Sequence, residues 1–365
     1  MRGNIPSYSP KFGPFGVILK RPLRLFAIHF VSFYLRDIVM KDRVLIVGGG
    51  AVGGALCAYL GAAHRNVTML ARGDTARLIA ERGIQLTTPT KERIVARPRV
   101  VLHANEAGIQ DIVLLATKAF SLPEAMKALS GAIGPGTLVV PVVNGVPWWF
   151  GTPDAPIRAV DPTGSLIAAI PSDRLVGATI FSPVSRTQSG EWVHAAPGRL
   201  TLGPTIPGES NAASNRVAAI FDGTAYTASV TTDIHRAVWS KLVTNASFNT
   251  LCALTGANQM AVARDDRLGK LAQTIMREIA ALADAAGSGI DGPISQYFDQ
   301  AYNKGLHKPS TLHDFEAGRT VELAAIVDAP LELAARYGLA LPMLSMIGAA
   351  VQLKAATAGL LPPSH

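Results

Sequence analysis

Arg43-Val-Leu-Ile-Val-Gly-Gly-Gly-Ala-Val-Gly-Gly-Ala-Leu56 is the stretch that decides the fold. A short apolar, β-branched run (43–47) predicts a buried strand, and the Ala/Leu-rich continuation to about Ala63 predicts a helix. Between them, Gly48, Gly50 and Gly53 satisfy the G-x-G-x-x-G spacing. In that pattern the first glycine permits the tight turn, the second lets a pyrophosphate approach the backbone, and the third lets helix pack on strand. Ala51 and Val52 open the helix, whose free N–H groups would face the phosphates. Strand, glycine turn and helix in this order predict a Rossmann-type dinucleotide-binding domain.

Working outward, Asn66–Ala71 reads as the second strand. An NAD site usually places an acid near its end, but Arg72 stands there. A guanidinium suits a 2′-phosphate and points to NADP(H), the alternative being a solvated loop residue with Asp74 close by. Asp111–Thr117 predicts another buried strand and ends at Lys118, where the crevice of a parallel sheet would bring a phosphate. The strand Thr137–Val143 ends in Asn144-Gly145, which is either a turn former or an amide at the nicotinamide end. Strands are expected at Leu175–Phe181, Glu191–His194, Arg199–Leu202 and Ala225–Val230, with a helix near Asn211–Phe221.

Composition bounds the class. Of the 365 residues, 48% are hydrophobic and 16% charged, which suits a chain with a sizeable core and two domains. The net charge of +8 is concentrated in residues 1–40, where six basic residues stand against Asp37 alone. The remainder is only mildly basic, and no basic run interleaves with aromatics, so nucleic-acid binding is not expected. The eight histidines show no close ligand spacing, so no metal is expected. Cys57 and Cys252 fall in predicted helices and read as free thiols of a cytoplasmic protein. Residues 1–39 are basic and then apolar, but the apolar run is too short to span a bilayer. They are expected to be an extension upstream of Met40 that does not fold with the body, with peripheral membrane attachment as the alternative.

Thr231-Thr232-Asp233 can cap a helix that runs on through Lys241 and Asn245. Lys241, Asn245 and Asn249 recur at steps of four, which keeps them near one face, with Val238, Trp239, Leu242, Val243, Phe248 and Leu251 at neighbouring positions. A lysine in line with two amides amid apolar helix predicts a proton donor followed by two groups that grip a small polar substrate. The alternative is an ordinary exposed face. Further on, Ser310 and Glu322 bracket Asp314, Gly318 and Arg319, ahead of a helix through Ala335.

With these residues in hand, the chain resembles the ketopantoate reductase (2-dehydropantoate 2-reductase) family over nearly all of 41–350. The resemblance rests on the glycine turn, Thr117-Lys118-Ala119, Asn144-Gly145, the run Lys241 to Leu251, and Ser310 to Glu322. It implies an α/β fold in which an N-terminal Rossmann domain (40–231) is followed by an all-helical catalytic domain (232–365), with an active site between them. It implies NADPH at Gly48, Gly50, Ala51, Val52 and Gly53, with Arg72 and Lys118 near the 2′-phosphate end and Asn144 touching cofactor and substrate. Lys241 matches the general acid and Glu322 its acidic partner; Asn245, Asn249 and Ser310 match substrate-binding positions. The implied reaction is reduction of 2-dehydropantoate to pantoate, a step of pantothenate biosynthesis. Alternatives are a related reductase of another 2-oxo or 3-oxo acid and a non-catalytic NADP-binding sensor. Either Asn258 or Gln259 fills a remaining substrate-side amide position, the Val146–Phe150 segment looks bulky beside the cofactor loop, and a homodimer is left open.

Overall fold

The computed structural model describes residues 42–363 apart from Gln188 and Lys304, so the readings made on residues 1–39 lie outside it. In chain order the strands are β1 (Arg43–Val47), β2 (Asn66–Leu70), β3 (Ile84–Thr87), β4 (Arg93–Ala96), β5 (Arg99–Val101), β6 (Ile112–Leu115), β7 (Leu138–Pro141), β8 (Val176–Phe181), β9 (Val184–Arg186), β10 (Trp192–His194), β11 (Gly198–Pro204) and β12 (Tyr226–Val230). Five of them form an all-parallel sheet in the order β5-β2-β1-β6-β7. Such sheets are covered on both faces, which is why their strands read as unbroken apolar runs. Leu45, Ile46, Val113, Leu114, Val139 and Val140 are fully buried accordingly.

The chain order reverses between β1 and β6, the topological switch point where α/β sheets bind ligands at the carboxyl ends of their strands. Register makes this edge level. Val47 pairs with Leu70 on one side and Leu115 on the other, and Leu115 with Pro141. Gly48, Arg72, Lys118 and Asn144 therefore all leave the sheet at the same edge, although up to 96 positions of sequence separate them.

Two smaller sheets, β4-β3-β10-β9 and β12-β11-β8, complete this part. Helix α1 (Ala51–Ala62) follows the glycine turn and α2 (Gly73–Arg82) follows β2. Strands β3, β4, β5 and β9 were not legible in sequence. They run only three or four residues and carry Arg93, Arg99 and Arg186, which blur any apolar alternation.

Every described strand precedes Thr231, and from Ile234 onward the described elements are helical. Helix α3 (Ile234–Thr244) starts at Asp233, whose carboxylate accepts a 2.9 Å bond from the Arg236 amide, as expected of a cap. Its inner face, with Phe248 just beyond its end, joins Trp239, Leu242 and Val243 to Ile275, Met276 and Ile279 of α4 (Leu268–Ala285) in one core. Among the described residues no helix is long and apolar enough to cross a membrane.

Helix α3 does not simply run on. Asn245–Asn249 form a π turn before helix resumes at Thr250–Thr255. Three hydroxyls explain the widening. Thr244 donates to the Lys241 carbonyl (3.0 Å), Ser247 to that of Val243 (2.7 Å) and Thr250 to that of Ala246 (2.7 Å), competing with the backbone ladder. A second π turn, Ala324–Asp328, precedes the helix Ala329–Arg336, so the expected single helix through Ala335 starts later and in two pieces.

Candidate active site

The glycine turn is built by contact rather than composition. Gly48 sits at φ +105°, and a Cβ there would lie 3.0 Å from the Ala116 carbonyl oxygen. A Cβ on Gly53 would stand 2.0 Å from the Gly48 carbonyl oxygen, so no larger residue lets α1 close on β1. Gly50 differs: a Cβ there meets nothing within 4 Å. Two glycines close the turn and one faces open space, which is what an approaching phosphate requires. Gly49 and Gly54, unremarked in sequence, are equally tight, against Thr75 and the Trp192 indole.

Arg72 is exposed at the head of α2. Asp74, the acid that blurred the cofactor reading, is ion-paired to Arg77 and lies 90% exposed. The Thr117 hydroxyl, beside Gly48, is buried without a hydrogen-bond partner among the described residues.

Lys118 does not stand free at this edge. It is ion-paired to Asp314 and lies 3.4 Å from Glu322 Oε2. Glu322 Oε1 accepts from the Ala119 amide at 2.7 Å, and Asp314 Oδ1 accepts from Arg319 Nε at 2.9 Å. Both carboxylates are largely buried. The segment bearing Asp314 and Glu322 is thus fastened onto the loop that follows β6. Among the described residues, Glu322 is not within ion-pair distance of Lys241.

Lys241 turns toward the sheet edge. Its Nζ donates to Asn144 Oδ1 at 2.6 Å and to the Ile180 carbonyl at 2.6 Å. Burial lowers its pKa to about 8, with the charge of Glu322 acting in the opposite direction. Asn144 therefore both leads into the turn at Gly145 and bonds Lys241 through its side-chain amide. Gly145 takes φ +81°, and a Cβ there would lie 2.4 Å from the Ala325 carbonyl oxygen. That carbonyl also accepts from the Val146 amide at 2.7 Å, so the second π turn pins the Asn144 loop.

The two amides follow along the π turn. Steps of four in an α-helix overshoot a full turn by about 40° each, and a wider π turn takes some of that rotation back. Asn249 is buried and Asn245 half-buried, and neither side chain makes a hydrogen bond among the described residues. Asn245 lines a small cleft with Lys241, Val143, Pro147 and Thr179; sequence had not singled out Thr179. Ser310 is exposed at the head of helix Ser310–Glu316, which packs against the π turn. Asn258 caps the next helix through a 2.9 Å bond from the Ala261 amide, whereas Gln259 is buried with Oε1 unpartnered. The bulky Val146–Phe150 segment folds inward: Trp148 and Trp149 are buried in the core with Ile234 and Val238.

Residues 44–206 match the family model described as ketopantoate reductase PanE/ApbA, and residues 233–355 match its C-terminal counterpart. The 2-dehydropantoate 2-reductase of Mesorhizobium japonicum is 34% identical over 298 residues, covering 80% of this chain and 91% of that protein. The chain belongs to the ketopantoate reductase family. Its fold agrees. The crystal structure of 2-dehydropantoate 2-reductase from Geobacter metallireducens superposes with a TM-score of 0.77 at 29% identity, covering 86% of this chain and 99% of that one. That from Methylococcus capsulatus gives 0.74 at 28%, covering 87% and 97%. As a ketopantoate reductase family member, the protein is an oxidoreductase with a Rossmann domain followed by a helical one.

Proposed function

We propose that this protein reduces 2-dehydropantoate to pantoate with NADPH, residues 40–231 holding the dinucleotide and 232–365 supplying the proton donor and the substrate amides. One observation carries the reading: the Lys241 ammonium is held by two neutral oxygens at the sheet edge where Gly48 and Gly50 turn. An ammonium has three N–H donors. Asn144 and Ile180 take two, which leaves the third for a substrate oxygen.

The residues fit the cofactor. The open face of Gly50 and the N–H groups at Ala51 and Val52 suit a pyrophosphate, and Arg72, with no carboxylate partner among the described residues, suits a 2′-phosphate. When bound, the cofactor would supply a hydride for C2 of the oxo acid. As negative charge builds on the C2 oxygen, Lys241 stabilises it and gives up the proton on its free N–H. Asn245, Asn249 and Ser310 grip the substrate's carboxylate and hydroxyl oxygens. Glu322 holds the Lys118–Ala119 loop in place, and its charge favours the protonated form of Lys241.

The test is NADPH consumption by the purified full chain, followed by absorbance, with 2-dehydropantoate and a panel of other 2-oxo and 3-oxo acids. Turnover with 2-dehydropantoate at the highest kcat/KM supports the assignment. A higher kcat/KM on another oxo acid overturns the substrate, and tight NADPH binding with no turnover on any of them overturns the enzyme reading.

A further inference from the structure

Arg186, at the end of the edge strand β9, has no part in the reading above. Two independent links tie it to the cofactor turn. Its Nη1 donates to Thr75 Oγ1 at 2.8 Å, and Thr75 lies in the first turn of α2, where its methyl would meet a Cβ on Gly49 at 2.5 Å. Its guanidinium also lies over the Trp192 ring, 4.9 Å from the centroid. The Trp192 indole N–H in turn donates to the Gly50 carbonyl at 3.0 Å. The guanidinium is thereby fastened between the glycine turn and the head of α2.

It meets no counter-charge among the described residues. Among the described residues no carboxylate lies within ion-pair distance of Arg186, and its buried Nε has no hydrogen-bond partner. Asp74, the acid nearest in sequence to Thr75, is held by Arg77. A cation taken partly out of water without a counter-charge is unfavourable, so an anion from outside is the natural partner. Burial lowers the Arg186 pKa with no compensating acid, in keeping with that. Position selects the anion. The pyrophosphate belongs at the N-terminus of α1, beyond Gly50, while the ribose hydroxyls of the adenosine fall at the end of β2. Thr75 and Arg72 both follow β2.

We propose that Arg186 is a specificity-determining residue that binds the 2′-phosphate of NADP(H) together with Arg72. The proposal rests on the NADPH reading given above and adds a residue that no spacing rule would find, because it comes from a different sheet more than a hundred positions downstream.

Calorimetric titration of the full chain with NADPH, NADH and adenosine 2′,5′-bisphosphate tests it. In R186M the apolar stem still covers Trp192 while the charge is gone. NADPH and the bisphosphate should bind at least about tenfold more weakly, as expected for loss of a charge-assisted contact. NADH should bind as it does to the unsubstituted protein, which also shows that the variant is folded. R186K, which keeps a charge but loses the fork, should fall between. Equal weakening of NADPH and NADH, or no change in either, overturns the assignment of Arg186 while leaving an NADPH preference of the unsubstituted protein intact. If the unsubstituted protein binds NADH as tightly as NADPH, the NADPH reading itself fails, and this proposal with it.

Discussion

Lys118 and Lys241 reach the same sheet edge and are held in opposite ways. Lys118 sits against two carboxylates, Asp314 and Glu322, which come from a segment far along the chain. The Lys241 Nζ is bonded by neutral oxygens among the described residues, one from an amide and one from the backbone. A carboxylate partner binds the charged form of an amine strongly, while burial among neutral dipoles leaves that form easier to lose. Lys118 thus links two parts of the chain, and the proposed proton release falls to Lys241. Two side chains of the same kind differ in the charge of what they touch.

Removing each lysine's special feature should separate these roles. The largest effect is expected from Lys241→Ala, which should lower kcat by about 10²–10⁴-fold, the range for a lost general acid. NADPH affinity, measured by titration, should change little. Near-normal turnover in that variant would mean the proton comes from elsewhere.

The pH profile sharpens the contrast. Burial puts the Lys241 pKa at about 8, and the amine is a donor only in its cationic form, below that value. Plotted against pH, kcat/KM should be level below about 8 and fall roughly tenfold per pH unit above it. Asn144→Asp gives Lys241 the kind of partner Lys118 already has. The break should then move upward by about one pH unit or more; a break that stays put would show that another group governs it.

Asp314→Asn acts on the Lys118 link alone. Asp314 is buried and bonded to Lys118 and Arg319, both partly exposed, so the loss should be about 1–3 kcal/mol in urea unfolding. The Lys241 pH break should not move. The smallest effect belongs to Asp233→Ala, which removes the cap of α3 and should cost about 1 kcal/mol with turnover largely kept.

The cofactor turn was almost wholly legible, because each glycine answers a local steric demand that recurs wherever a strand feeds a phosphate-binding helix. Gly48, Gly50 and Gly53 each meet the contact, or the open space, their positions foretell. The Asp233 cap was legible for the same reason: the donor it serves is three residues away. Lys241 and Asn144 could be named separately, but 97 positions separate them and nothing in either segment states that one bonds the other. Apart from the family resemblance nothing around Glu322 singles it out in sequence, and it is mostly buried against Ala119. The π turn was missed because a pattern of steps of four looks the same whether or not the hydroxyls of Thr244, Ser247 and Thr250 bend the helix.

Sequence alone determined strands β1, β2, β6 and β7, the helices α1 and α3, their order, and the residue types offered at those strand ends and along α3. These depend on short-range sterics, periodicity and capping, which act within a few residues. Only the tertiary structure decided which charges meet. It gave Lys118 its two carboxylates, left Lys241 with neutral partners, and laid Arg186 over Trp192 beside the glycine turn. The physical reason is that the environment of a charge is a property of three-dimensional neighbours, and those are set by sheet order, register and packing across the whole chain.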